Sequence, residues 1–277
     1  MGARRLGGLA LVLVTLGALA GPAAADGGRP LLAAHRGGAL LWPENSLLAF
    51  RSAVALGADY LELDVHATRD GQVVVIHDPT LDRTTTGAGP VRDRTLAELR
   101  PLRLKDREGR VTAEPIPSLD EVLAVAAAGD RRLLLEIKVD PERRRYPGIE
   151  ETVLAALDRR GMTARTIVMA FERETWQRVR ELRPDVKAGA LYSGRSLERQ
   201  GTTLPRALEE ARAAGVAFLG LHQALIDPAT VGAARAAGLL LGAWTVNERD
   251  ALARVIRDGV GVVITDRPDL AKELLGR

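Results

Sequence analysis

The 277-residue chain has no cysteine, four lysines and 3% aromatic residues. Without cysteine there are no disulfides, no thiolate metal ligands, no cysteine nucleophile and no lipid-modified N-terminal cysteine. With so few rings, the core of a chain this long must be built mainly from Leu, Val, Ile and Ala. The lysines are Lys105, Lys138, Lys187 and Lys272, so arginine supplies the other 35 basic residues. These arginines are dispersed among 36 acidic residues rather than gathered into a stripe. The net charge of +3 is therefore no footprint of nucleic-acid binding. A chain that is 46% hydrophobic and 27% charged is too apolar for disorder and too evenly charged for an integral membrane protein.

At the N-terminus, Arg4 and Arg5 precede an apolar run from Leu6 to Ala20, followed by Gly21-Pro22 and Ala23-Ala24-Ala25. A positive start, a short apolar run and a small-residue site read as a cleavable secretory signal. The run is short of the ~20 residues that span a bilayer. The expectation is an exported protein, periplasmic or extracellular, cleaved near Ala25. Residues 26–277 then form one mature domain without stable membrane insertion.

Beyond residue 30, short apolar runs alternate with longer amphipathic stretches. Strands are expected at Leu31–Ala34, Tyr60–Val65, Val73–Ile76, Leu133–Ile137, Thr166–Ala170, Ala188–Leu191, Ala217–Leu221, Leu240–Val246 and Val262–Thr265. Helical periodicity fits Ser46–Leu56, Leu119–Ala128, Ile149–Arg160, Glu174–Leu182, Leu204–Ala214, Pro228–Ala237, Glu248–Asp258 and Pro268–Leu275. Such alternation implies parallel strands with helical crossovers. One connection is too short for a crossover: Thr68-Arg69-Asp70-Gly71 carries the Asp-Gly signal of a hairpin. Val73–Ile76 is thus an antiparallel arm, and a turn centred on Arg69-Asp70 sets Glu62 opposite His77. Eight strands remain for a closed (β/α)8 TIM barrel with a hairpin on strand two. An open doubly wound sheet is disfavoured, because no G-x-G-x-x-G opens a helix after the first strand. Residues 82–118 form an inserted excursion in which no second core is expected.

Barrel sites lie at the C-terminal ends of strands. There the sequence places His35-Arg36-Gly37-Gly38, then Glu62, Asp64 and His66 on one face of strand two, then His77-Asp78, Glu136-Ile137-Lys138 and Trp244-Thr245-Val246-Asn247. Three carboxylates in one cleft need a cation, and hard oxygens suit Mg²⁺ or Ca²⁺ better than Zn²⁺. The alternative is that Glu62 and Asp64 pair with arginines at the barrel mouth. His35 and His77, two of only four histidines, can divide acid and base work. Arg36 and Lys138 can hold an anionic oxygen, with Gly37-Gly38 letting the backbone approach it. Trp244 is either a pocket wall or core. His66 and His222 are expected to support the site or lie at the surface. Asn45 is placed as a helix N-cap. Two imidazoles, a hard cation, Arg and Lys together describe cleavage of a phosphate ester.

The chain resembles the glycerophosphodiester phosphodiesterases. The resemblance runs through His35-Arg36-Gly37, Pro43-Glu44-Asn45-Ser46, Glu62-Leu63-Asp64-Val65, Thr68-Arg69-Asp70-Gly71, Val75-Ile76-His77-Asp78, Glu136-Ile137-Lys138, Trp244-Thr245-Val246-Asn247 and Ile264-Thr265-Asp266-Arg267-Pro268. It implies a phospholipase C-like TIM barrel that hydrolyses a small-molecule glycerophosphodiester to sn-glycerol 3-phosphate and an alcohol. It further implies His35 and His77 as the general acid/base pair and Glu62, Asp64 and Glu136 as ligands of one divalent cation, Ca²⁺ or Mg²⁺. Arg36 and Lys138 would contact the phosphate, and Trp244 would line the pocket. Ala170-Phe171 departs from the family's usual Ser-Phe. A sphingomyelinase D-like hydrolase of intact lipids is the rival enzyme, opposed by the lack of cysteine and of an apolar docking stretch. An exported, non-catalytic phosphodiester-binding protein would have lost a histidine or a metal acid, and none is missing.

Overall fold

In a computed structural model, residues 28–277 are described. The segment expected to be a signal peptide, residues 1–25, lies outside them. In chain order the strands are β1 (Leu31–Ala34), β2 (Tyr60–Ala67), β3 (Val73–Val75), β4 (Arg103–Lys105), β5 (Val111–Pro115), β6 (Arg132–Ile137), β7 (Thr166–Ala170), β8 (Lys187–Tyr192), β9 (Phe218–His222), β10 (Leu240–Trp244) and β11 (Val262–Thr265). The helices are α1 (Leu47–Leu56), α2 (Leu96–Leu99), α3 (Leu119–Ala128), α4 (Ile149–Arg159), α5 (Arg173–Leu182), α6 (Gly194–Arg199), α7 (Leu204–Ala213), α8 (Pro228–Ala236), α9 (Arg249–Asp258) and α10 (Pro268–Leu274). Strands β1, β2, β6, β7, β8, β9, β10 and β11 pair in parallel in that order, and β11 returns to β1. The expected TIM barrel is therefore the observed fold. No helix among the described residues is long and apolar enough to cross a membrane.

Each strand divides its side chains between two layers because successive residues point to opposite faces. On β2, Leu61, Leu63 and Val65 pack outward with the helices, in the core that also takes Phe50, Val122 and Leu135. Tyr60 faces inward with Ala33, Leu134, Ile167, Met169, Leu191, Phe218, Val262 and Ile264. Phe218 supplies the bulk of this interior, and neighbouring strands make room for it with glycine. A Cβ on Gly242 would meet Phe218 Cζ at 2.5 Å, and one on Gly189 would meet Phe218 Cδ1 at 3.0 Å. One ring thus does the filling for which an aromatic-poor sequence has few candidates.

The hairpin register departs from expectation by one residue. Val65 pairs with Val75, His66 with Val74 and Ala67 with Val73. The loop holds three residues, Arg69-Asp70-Gly71, closed by the Thr68 N–H donating to the Gln72 carbonyl at 2.9 Å. Gly71 takes φ 73°, and this left-handed residue adds the position that a two-residue turn would lack. Ile76 still pairs with Asp64, and His77 follows as the chain leaves the ladder. His77 is consequently not opposite Glu62.

The excursion does gather a small core of its own. Leu81, Val91, Leu99, Leu104 and Ile116 pack with Val74 and Ile76 of the arm, beside the two-stranded β4–β5 sheet. The cluster covers the hairpin face that bears Val74 and Ile76, which explains how a short arm stays ordered.

Truncating the central ring should expose the cost of this arrangement. Phe218→Ala is expected to lose about 3–5 kcal/mol and Gly242→Ala about 1–3 kcal/mol, read by chemical denaturation. If both variants stay within about 0.5 kcal/mol of the parent, Phe218 is not what packs the barrel interior.

Candidate active site

Seven of the predicted site residues, His35, Arg36, Glu62, His77, Glu136, Lys138 and Trp244, line one cavity of ≈ 150 Å³ at the C-terminal ends of the strands. The eighth, Asp64, lies beneath them, 1% exposed. The cavity is polar on the β1, β2 and β6 side and apolar opposite, where Met169, Phe171, Leu191 and Ile264 join Trp244.

Carboxylates from two strands meet because the parallel register sets Asp64 beside Glu136. With Glu62 they bring three oxygens within 4.8 Å of one another, all from buried side chains. At an effective dielectric near 20, two unit charges at such a separation repel by about 3 kcal/mol or more. The three do not share the load equally. Burial, and then repulsion by Asp64 and Glu136, pushes Glu62 well above the ordinary carboxylate range. Burial, against the pull of Lys138, pushes Glu136 up to about 7. For Asp64 burial acts in the same direction, but Lys138, His77, Arg36 and His35 outweigh it and hold the carboxyl well below its ordinary value. Asp64 Oδ1 is buried with no hydrogen-bond partner. Lys138 Nζ donates to Glu136 Oε1 at 2.7 Å and lies 3.4 Å from that same Asp64 Oδ1.

Arg36 sits on a strained turn, with φ 52° ahead of two left-handed glycines. Its backbone N–H donates to Glu62 Oε2 at 2.8 Å, and its Nε stands 3.3 Å from Asp64 Oδ2. A non-glycine residue in this region costs energy that the surroundings must repay, a pattern typical of functional sites. Gly37 and Gly38 are also required by packing. A Cβ on Gly37 would meet Ala49 Cβ at 2.7 Å, and one on Gly38 would meet the Trp42 ring at 2.9 Å.

Each imidazole is held through Nδ1 by a carboxylate. His35 Nδ1 donates to Asp266 Oδ1 at 2.6 Å, and Asn247 Nδ2 donates to Asp266 Oδ2 at 2.8 Å. His77 Nδ1 donates to Asp78 Oδ1 at 2.7 Å. Burial lowers the His77 pKa below its ordinary value, against Asp64, which raises it. Arg83 Nε donates to Asp78 at 2.6 Å, and Arg83 also grips both oxygens of Glu44, which in turn accepts from Arg36. Trp244 meets Phe171 and His222 edge-on, with ring centroids 5.5 and 5.3 Å away, and its Nε1 is buried without a partner.

The model of the Glycerophosphoryl diester phosphodiesterase family matches residues 35–270. A glycerophosphodiester phosphodiesterase of Caldanaerobacter subterraneus subsp. tengcongensis is 36% identical over 244 residues, covering 87% of this chain and 96% of that one. The chain belongs to this family. A crystal structure from Agrobacterium tumefaciens, described as a putative glycerophosphoryl diester phosphodiesterase, superposes with a TM-score of 0.82 at 29% identity, covering 90% of this chain and 98% of that one. A phosphodiesterase of Oleispira antarctica, solved in complex with the product sn-glycerol-3-phosphate, does so at 0.75 with 27% identity, covering 91% and 99%. As a member of the family the chain is an enzyme, a hydrolase of phosphoric diesters.

Several residues that shape this phosphodiesterase site were given a different role, or none, by the sequence. Asn45 is not the N-cap of α1; Ser46 is, its Oγ accepting from the Ala49 N–H at 3.0 Å. Asn45, 1% exposed and at φ 57°, instead donates from Nδ2 to Asp64 Oδ2 at 3.0 Å. Asp266 and Asn247 end adjacent barrel strands, so the rule that found Trp244 could have found them. Arg83 carried no signal. His66 is fully buried rather than at the surface: its Nε2 donates to the His77 carbonyl at 3.0 Å, and Nδ1 accepts from the Tyr146 hydroxyl at 2.7 Å. His222 packs on Trp244 behind the cavity wall.

Burial pushes His66 down to about 4, so it stays neutral where an unfolded chain would take a proton. Between pH 4 and 6.5 the unfolded state binds more protons, so stability rises with pH across that window and is lost on acidification. The contribution is roughly 3 kcal/mol. Denaturation from pH 7 to 4 should show a shallower loss in His66→Gln than in the parent; equal slopes would remove His66 as the cause.

Proposed function

We propose that this hydrolase cleaves glycerophosphodiesters to sn-glycerol 3-phosphate and an alcohol, with His35 and His77 dividing the acid and base work. The observation that carries the reading is the convergence of two carboxylate-held imidazoles, three carboxylates, Arg36 and Lys138 on one small cavity. The product bound to the Oleispira relative supports the same substrate class.

In this reading Nδ1 of each histidine is committed to its carboxylate, which leaves Nε2 free to exchange a proton with substrate. One ring removes the proton of the nucleophile, which is water or a hydroxyl of the substrate whose cyclic ester water then opens, and the other returns a proton to the departing alkoxide. The Arg36 guanidinium and the Lys138 ammonium face the phosphoryl oxygens and offset the negative charge that builds on them. Glu62, Asp64 and Glu136 fit one divalent cation: their oxygens are hard, they cannot all ionise alone, and Asp64 Oδ1 is buried without a hydrogen bond. Such a cation, Ca²⁺ or Mg²⁺, supplies Lewis-acid stabilisation of a phosphoryl oxygen when bound. Trp244 and its apolar neighbours shape the opposite wall around the carbon skeleton. The basic and apolar N-terminal segment supports export, so that substrate would be met outside the cytoplasm.

The direct test is release of glycerol 3-phosphate from glycerophosphocholine with Ca²⁺, with Mg²⁺ and after chelation. Turnover lost on chelation and restored by one cation is expected; product from none of several head groups would overturn the reading. His35→Ala and His77→Ala should each lower kcat by about 10²–10⁴-fold, and near-parental turnover in either would remove that residue from the chemistry.

The carboxylate site makes a separate pH prediction. Burial holds the Glu62 carboxyl well above the ordinary carboxylate range and pushes Glu136 up to about 7, so cation binding must compete with protons held there. Titration calorimetry in two buffers should register proton release and an apparent affinity that weakens as pH falls from 8 to 6. A pH-independent affinity without proton release would place the cation elsewhere.

A further inference from the structure

Outward from Phe171, the catalytic face carries a second cavity of ≈ 490 Å³, built on the loops that follow β6, β7 and β8. The two cavities share a wall: Phe171 lines the reaction site, Glu172 and Arg173 line the neighbour, and Gln200 Nε2 donates to the Phe171 carbonyl at 3.1 Å. The lining contains no aliphatic or aromatic side chain. Arg143 pairs with Glu172 at 2.9 Å, and Arg173 and Arg206 share Glu210. Arg199 has neither an ion pair nor a side-chain hydrogen bond among the described residues, and Thr202 Oγ1 is buried without a partner.

We propose that this cavity is the subsite for the alcohol arm of the substrate, and that it selects an uncharged polyhydroxy alcohol. The inference rests on the phosphodiesterase reading above and names the substrate class. The reaction cavity, at ≈ 150 Å³, has room for little beyond the phosphate and one three-carbon arm, so the second arm must extend past its rim. Across β7 and β8 it meets guanidinium donors and carboxylate acceptors side by side. A hydroxyl both donates and accepts, and a row of hydroxyls matches such a surface without needing net charge. Four arginines against three glutamates offer an ammonium head no net attraction, and no ring lines the cavity to face a quaternary nitrogen. Arg199 and Thr202 supply the donors that have no other use.

The test compares kcat/KM for glycerophosphoinositol, bis(glycero)phosphate, glycerophosphoserine and glycerophosphocholine. The two polyol substrates should exceed glycerophosphocholine by about tenfold or more, and Arg199→Ala should remove most of that advantage while leaving glycerophosphocholine within about twofold. Thr202→Val, which keeps the side-chain shape, should act in the same direction. Parity of polyol and choline substrates, a preference for the anionic serine head, or an equal loss on all four in Arg199→Ala would each overturn the subsite. Glycerophosphocholine turnover tests the reaction separately, because a choline head has no hydroxyls for Arg199 and Thr202 to bind; absence of turnover on all four would remove both readings.

Discussion

Three buried carboxylates side by side at the ends of β2 and β6 are the constraint to which the rest of the site responds. Their mutual repulsion, compounded by desolvation, is larger than most single interactions in a folded domain. The chain answers it with unequal partners. Asp64 receives Arg36, Lys138 and the Asn45 amide, whereas Glu62 receives one backbone N–H and Glu136 one ammonium. Lys138 places one compact ammonium between two of these carboxylates, 2.7 Å from Glu136 Oε1 and 3.4 Å from Asp64 Oδ1.

Holding these partners in place requires backbone that the sequence would not choose locally. Arg36 and Asn45 both adopt left-handed angles without being glycine, and both touch Asp64. The Asn45 N–H donates to the Arg36 carbonyl at 2.9 Å, so the two strained residues brace one another. Their cost is offset by the packing of Gly37 onto α1 and by the long barrel strands beneath, which have no comparable irregularity. Left-handed residues at the mouth over regular strands below it is the division that lets one barrel carry a demanding site.

Element order was legible because strand ends are punctuated and period 2 gives way to period 3.6 at each crossover. Carboxylate and histidine placement followed from alternation along β2 and from the habit of barrels to react at strand ends. What stayed hidden was hidden for physical reasons. The hairpin register turned on whether Gly71 acts as a third loop residue, which composition does not decide. Asn45 and Ser46 are equally good caps on paper, and only the fold shows which carbonyl and carboxylate each can reach. Arg83, which ties Glu44 to Asp78, could not stand out in a chain with 35 arginines. The same bias made the single site lysine conspicuous.

The reaction cavity is bounded almost entirely by residues on or just past barrel strands, whose positions are fixed by ladder hydrogen bonds on both sides. The surrounding rim is built from loops and short helices, where Arg143 and Arg199 sit exposed. These two zones touch through few contacts, among them the Gln200 amide on the Phe171 carbonyl. A substitution on the rim therefore has little leverage over the carboxylate charges, and a change in those charges has little leverage over the rim. That separation is what allows chemistry and substrate choice to vary independently on one scaffold. It follows from geometry: strand ends converge on the barrel axis, while the loops that follow them diverge.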